Sequence, residues 1–151
     1  MATSGVLVTQ FDYSKLFIWG NLFRTGTYTN ATGSTVTLPK GTVMGRVLAT
    51  NKVYPCISTL TDGSQIARFV LAQDVTVANT ASATVTFCIH GKVAREGLIF
   101  NNGTDTLATV QLFNTSAAAA TTTQAGTNED LLWAAGIITE ATTENTIADN
   151  A

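Results

Sequence analysis

With 151 residues, a formal net charge of −2 and only 12% charged residues, the chain has the size of one domain and about half the roughly 25% charge of an ordinary one. A domain this long buries about 68–70% of its unfolded surface, so its core needs no staples. A pI near 5.1, with basic residues scattered singly along the chain, excludes a nucleic-acid partner, because phosphate binding requires clustered Lys and Arg.

Two cysteines, Cys56 and Cys88, give neither a disulfide scaffold nor a metal set and read as small buried hydrophobes. Exposed faces are expected to be rich in hydroxyls rather than ions. Low charge with a positive mean hydropathy suits a surface partly covered by partners, although a threonine-rich monomer has the same balance. The first residues lack the basic region and apolar core of a secretory signal. The apolar run at 16–23 is far shorter than the roughly 20 residues of a membrane helix. The expectation is a soluble protein made in a cytoplasm, with no membrane partner.

In chain order, residues 1–14 form a small-residue start followed by an extended apolar arm containing Val6, Leu7, Val8, Phe11 and Tyr13. Such an arm either pairs with the edge of a neighbouring sheet or completes its own. Residues 16–23 are the densest aromatic cluster and read as a core strand, with an anchor against another subunit as the alternative. Residues 24–34, rich in Gly, Thr and Asn, read as a loop. Alternation at 35–38 leads into a Pro39-Lys40-Gly41 turn and a short buried strand over 43–48.

Thr61-Asp62-Gly63-Ser64 is a turn, because Asp accepts local backbone hydrogen bonds and Gly tolerates positive φ. A strand over 66–71 follows. Over 83–89, Ala83, Val85, Phe87 and Ile89 alternate with Thr84, Thr86, Cys88 and His90, the period of a strand with one buried face. Asn101-Asn102-Gly103-Thr104 predicts a hairpin between the apolar runs 98–100 and 107–113. Residues 114–127, of Ser, Ala, Thr and Gly, read as a surface loop.

The segment 127–136 has the parts of one short helix. Thr127 caps it, Glu129 and Asp130 sit in its positive first turn, Leu131 and Ala135 recur on one face, and Gly136 ends it. Residues 137–139 return as a closing strand, and 140–151 form a polar tail. This divides the chain into an arm with the aromatic segment (1–35), a β domain (36–139) and a tail (140–151).

No reactive constellation stands out. His90, the sole histidine, falls on the polar face of its strand with only Glu96 nearby in sequence, short of what nucleophilic catalysis requires. Asp62, Asp74, Glu96 and Asp105 lie in turns, where carboxylates commonly bind backbone. The glycines at 41 and 45 lack the ending of a phosphate loop. One His and two distant Cys offer no zinc site. Asn30, Asn102 and Asn114 head N-x-Ser/Thr triplets that are expected to stay unmodified. No enzyme activity and no cofactor are expected.

Three segments in order carry a resemblance: Gly41-Thr42-Val43-Met44-Gly45-Arg46-Val47, then Asp62-Gly63-Ser64, then Val70-Leu71-Ala72-Gln73-Asp74-Val75. With the strand and basic-flanked segment over 84–98 and the ending Leu132-Trp133-Ala134-Ala135-Gly136-Ile137, residues 36–138 resemble the lambda-type head decoration, or capsid-stabilising, proteins of tailed bacteriophages. That resemblance implies a mainly β, barrel-like or β-tulip domain with one short C-terminal helix that forms a homotrimer. It implies a virion protein on the outer capsid surface, bound to the major capsid protein and bracing the expanded lattice. The arm residues Val6, Leu7, Val8, Phe11 and Tyr13 are the expected capsid contacts. The alternative is a glycan-binding β module of a head fibre or spike, with Trp19, Tyr28, Tyr54 or Trp133 as stacking platforms.

Overall fold

A computed structural model describes residues 16–114 and 123–141; the side chains of 112–114 and 123–125 are outside that description. The domain is mainly β with one short helix. Its strands are β1 (Phe17–Thr29), β2 (Val36–Leu38), β3 (Val43–Arg46), β4 (Val53–Pro55), β5 (Phe69–Leu71), β6 (Val75–Val77), β7 (Ser82–Ala94), β8 (Val110–Asn114), β9 (Thr123–Thr127) and β10 (Ile137–Glu140). The helix α1 (Asn128–Ala135) precedes β10. The main sheet runs β1-β7-β5-β3-β4, with β10 joined in parallel to β7; β2-β6 and β8-β9 are separate antiparallel pairs. The sheets stay open, so the barrel-like expectation is met in class without closure.

The middle of the main sheet is buried on both faces. Val43, Val70 and Cys88 belong to one core with Leu16, Val93, Leu132 and Ile137. Met44, Leu71, Val85 and Phe87 belong to another with Tyr28, Leu38 and Val53. Neighbours along β3, β5 and β7 therefore point into opposite cores, and each fully buried aliphatic side chain contributes about 1.5–3 kcal/mol. This corrects the one-faced reading of β7: alternation holds through Val85 and Phe87, but Cys88 is as fully buried as they are. Cys56 and Cys88 are both buried and unpaired, as expected. Burial, with the Asp105 charge adding to it, pushes the Cys56 thiol up to about 12.

Residues 24–29 are strand, not loop. They pair residue for residue with β7, from Arg24 opposite Phe87 to Thr29 opposite Ser82. Gly26 lies beneath the Phe87 ring, where a Cβ would stand 2.9 Å from Phe87 Cε1. The glycine that suggested a loop is there to admit an aromatic ring. β3 ends at Arg46, leaving Leu48 exposed, and the strand expected over 66–71 shortens to β5.

The turn at 101–104 exists, with Gly103 at φ 68°, yet it closes no hairpin. Residue 99 instead bridges Thr42 in parallel, and β8 pairs with β9. So 123–127 is strand, while 115–122 lies outside the described residues. The turn serves Asp105: its carboxylate accepts from the Ser58 amide and hydroxyl, both at 2.7 Å, and from Asn102 Nδ2 at 2.7 Å. Asp62 likewise accepts from the Ser64 amide at 3.0 Å, and Asp74 from the Lys40 amide at 2.6 Å. Asn30 is fully buried, donating to the Ser34 and Val77 carbonyls at 2.7 and 2.8 Å.

Burial raises the Asp105 carboxyl, but the Ser58 and Asn102 hydrogen bonds outweigh it and hold the group below its ordinary 3.8. A folded-state value below the unfolded one means stability present above about pH 4 and lost as pH falls through the folded value. Asp105→Ala is expected to cost about 2–3 kcal/mol at pH 7. The gap from wild type should narrow as urea melts are taken below pH 4; a gap independent of pH would count against the ionised bonds.

The two ends of the helix are built as the sequence predicts, but its buried face is carried by Asn128 and Leu132 rather than by the expected Leu131 and Ala135, which are half-buried and exposed. The Thr127 hydroxyl accepts from the Asp130 amide at 3.1 Å and the Asp130 carboxylate from the Thr127 amide at 3.1 Å, a reciprocal capping box. Gly136 ends it at φ 98°. The Trp133 indole N–H donates to Thr139 Oγ1 at 2.9 Å, whose hydroxyl donates to Glu129 at 2.6 Å, and Glu129 pairs with Arg95 at 3.1 Å. This network fixes α1 to β10 and to the 3-10 turn Arg95–Gly97.

Candidate partner-binding surface

The aromatic strand is shaped by a β-bulge. Between the pairs Trp19–Lys92 and Leu22–His90, Gly20 and Asn21 together face the single residue Gly91. Gly20 takes φ 63° and Gly91 φ 118°. The Asn21 side chain crosses to β7, donating to the Lys92 carbonyl at 3.0 Å. A Cβ on Gly91 would fall 2.7 Å from Asn21 Cα, so only glycine admits the crossing.

The bulge turns part of the aromatic cluster outward. Phe17 packs against the first core and meets Phe23 edge-on, ring centroids 5.1 Å apart. Trp19, by contrast, is 76% exposed, Leu22 58% and Phe23 46%. This corrects the core-strand reading of 16–23: Leu16 alone of the eight is fully inside, while three large apolar side chains face out. Trp19 stands in one row with Lys92 and Ile138, neighbours across β1, β7 and β10. Ile138 is also exposed, and Lys92 is tied to Glu140 at 3.0 Å.

β1 forms one edge of the main sheet, and no described strand pairs with its outer side. The C-terminal half of β1 lies beside β4, with the Cβ position of Gly26 3.6 Å from Val53 Cγ1; its first half, carrying Trp19, Leu22 and Phe23, offers backbone groups for strand addition and apolar side chains for burial. The strand is anchored at its start: Leu16 is buried, and its carbonyl accepts from the Ala94 amide at 2.7 Å. The candidate contacts Val6, Leu7, Val8, Phe11 and Tyr13 immediately precede this anchor and lie outside the described residues.

Of the four aromatic platforms considered in sequence, Trp19 and the half-exposed Trp133 face solvent. Tyr28 is buried and Tyr54 meets it edge-on, centroids 5.4 Å apart. His90 is exposed on β7 with its ring against Gly136, where an added Cβ would lie 2.9 Å from His90 Cδ2. Trp19, Leu22 and Phe23 were missed as surface residues because an aromatic cluster reads as core. The Gly20-Asn21 pair inside it was the available signal of a bulge.

Comparison with curated proteins returned no match. The family model described as bacteriophage lambda head decoration protein D matches residues 16–121, so it takes in the aromatic strand that the resemblance over 36–138 left out. The chain belongs to the bacteriophage lambda head decoration protein D family.

Proposed function

We propose that this head decoration protein binds the outer surface of an icosahedral phage head as a homotrimer and stabilises the expanded lattice of the major capsid protein. The observation that carries the reading is the start of β1, an edge with whose outer side no described strand pairs, where Trp19 and Leu22 are exposed shortly after a buried anchor at Leu16. Such an edge supplies main-chain hydrogen bonds and apolar burial without any reacting group. Packaged DNA pushes shell subunits apart, and a bound clamp adds free energy that must be lost before they separate. Three copies joined in a trimer hold on by avidity, since one contact rebinds while the others remain.

In this reading the arm residues Val6, Leu7, Val8, Phe11 and Tyr13 extend the contact. Removing residues 1–14 is expected to leave the melting temperature within a few degrees of wild type, because Leu16 keeps its own bonds, and to weaken binding to expanded heads at least roughly tenfold. Co-sedimentation with heads checks this. Equal binding by the trimmed protein removes the arm from the account.

The exposure of Trp19 also favours the second reading, a glycan-binding module, since an open indole is a stacking platform for a sugar ring. Its neighbours in the row are Lys92 and Ile138 rather than a ring of hydrogen-bonding side chains. A saturable change in tryptophan fluorescence on titrating glucose-, galactose- or N-acetylglucosamine-containing oligosaccharides, abolished by Trp19→Ser, would establish it.

A further inference from the structure

Arg24 on β1, Arg46 at the end of β3 and Arg68 just before β5 line one groove of about 530 Å³. These are three of the eight basic residues in a chain of net charge −2, and no acidic side chain lines the groove with them. Among the described residues the ion pairs use Lys92 and Arg95, not these three. The Nε atoms of Arg46 and Arg68 are shut off from solvent and donate to no described acceptor.

Buried donors are ordinarily satisfied, and leaving a charged one unsatisfied is costly. Phe69 and Phe87 also line the groove, their rings 4.6 Å apart and tilted by 36°. Gly26, against which the Phe87 ring packs, lines the groove beside them. An apolar wall in a groove lined by three arginines suits a ligand with a short hydrocarbon stem ending in a planar anion. Arginine forks match a carboxylate bidentately.

We propose that this groove binds the carboxylate of a glutamate or aspartate side chain presented by an acidic segment of a partner polypeptide. The aromatic wall takes the methylenes, and the three guanidiniums take the charge. A nucleic acid is the poorer fit, because the cationic site is one groove and not a track along which successive phosphates lie. Arg24 and Gly26 belong to β1, so the groove adjoins the edge assigned above to shell attachment; peptide titration without heads reads the groove separately from that attachment.

The test is calorimetric titration of the full chain with a hexaglutamate peptide at low ionic strength, alongside hexaglutamine and inorganic phosphate. Saturable hexaglutamate binding is expected, weakened at least roughly tenfold in each of Arg46→Gln and Arg68→Gln, the loss anticipated for a charge-assisted hydrogen bond. Arg24→Gln, at an exposed position, should weaken binding without altering the thermal melt, which keeps the test valid if a more buried variant misfolds. Lys40→Gln, outside the groove, removes the same charge and should leave binding within twofold of wild type. Absence of saturable hexaglutamate binding overturns the proposal. So does phosphate or hexaglutamine binding of equal affinity, or a Lys40→Gln loss as large as that of the groove arginines.

Discussion

Gly45→Ala should destabilise the domain by at least about 3 kcal/mol, enough to lower its melting temperature by roughly 6–12 °C. Gly45 lies within β3 opposite Tyr54 of β4, and the turn at 61–66 folds directly over it. A Cβ at this position would collide with the Ser64 carbonyl oxygen, and would stand 2.6 Å from Ser64 C and 2.8 Å from Ile66 O. These are backbone atoms, and they cannot swing aside as a side chain does. The Leu48 amide holds the Asp62 carbonyl at 3.0 Å and the Arg68 amide holds the Met44 carbonyl at 3.0 Å, so both ends of the turn are fastened to the strand. Relief requires moving the turn away from the sheet and opening the Met44 and Val43 positions of both cores. Gly126→Ala is the matched control: among the described residues its Cβ would meet only Asp130 Cβ at 3.8 Å and Leu131 Cδ2 at 3.9 Å. That change should be neutral or slightly stabilising, since alanine restricts the unfolded chain. Equal melting temperatures for the two variants would refute this view of the turn.

Replacing Trp19 and Leu22 together by Ser should reduce binding to expanded heads at least roughly thirtyfold while changing the melting temperature little. Both side chains are largely in solvent, so the fold loses almost no buried area. Exposed tryptophan that becomes buried in a complex is the residue type that most often contributes 2 kcal/mol or more to association. In a trimer the loss is taken at three contacts at once, so the effect on a multivalent attachment exceeds that at a single site. Co-sedimentation of purified protein with undecorated heads, at several protein concentrations, measures it. Wild-type binding by the double variant would show that the outward row is not the contact.

The features legible in sequence are those whose cause is local. Thr127, Asp130 and Gly136 specify the start and stop of α1 within ten residues, and the Asp62 turn is closed by its own neighbours. The period-two pattern revealed β7, but the sequence of one strand does not tell whether its second face is covered. Cys88 is buried because Val43 and Val70 pack there from strands 18 and more residues away. Residues 24–29 looked like loop because their strand character comes from pairing with β7: Thr29 meets Ser82 across 53 residues of chain, and composition carries no trace of that partner. Asn102-Gly103 made a turn as predicted, but its side-chain bonds were directed to Asp105 instead of a hairpin. The arginines at 24, 46 and 68 are singletons in sequence; they line one groove only through the placement of β1, β3 and the approach to β5 in the fold. The hydroxyl-rich surface was legible, and cross-strand contacts such as Thr37 to Thr76 at 2.9 Å do on this surface what ion pairs do elsewhere.

The most direct measurement is the thermal disruption of expanded, undecorated phage heads with and without added protein, followed by light scattering. If the protein braces the shell, disruption should shift upward by several degrees, saturate at a fixed ratio of protein to capsid subunits, and revert when Trp19 and Leu22 are replaced. Heads that disrupt at the same temperature with saturating protein present would contradict a stabilising role.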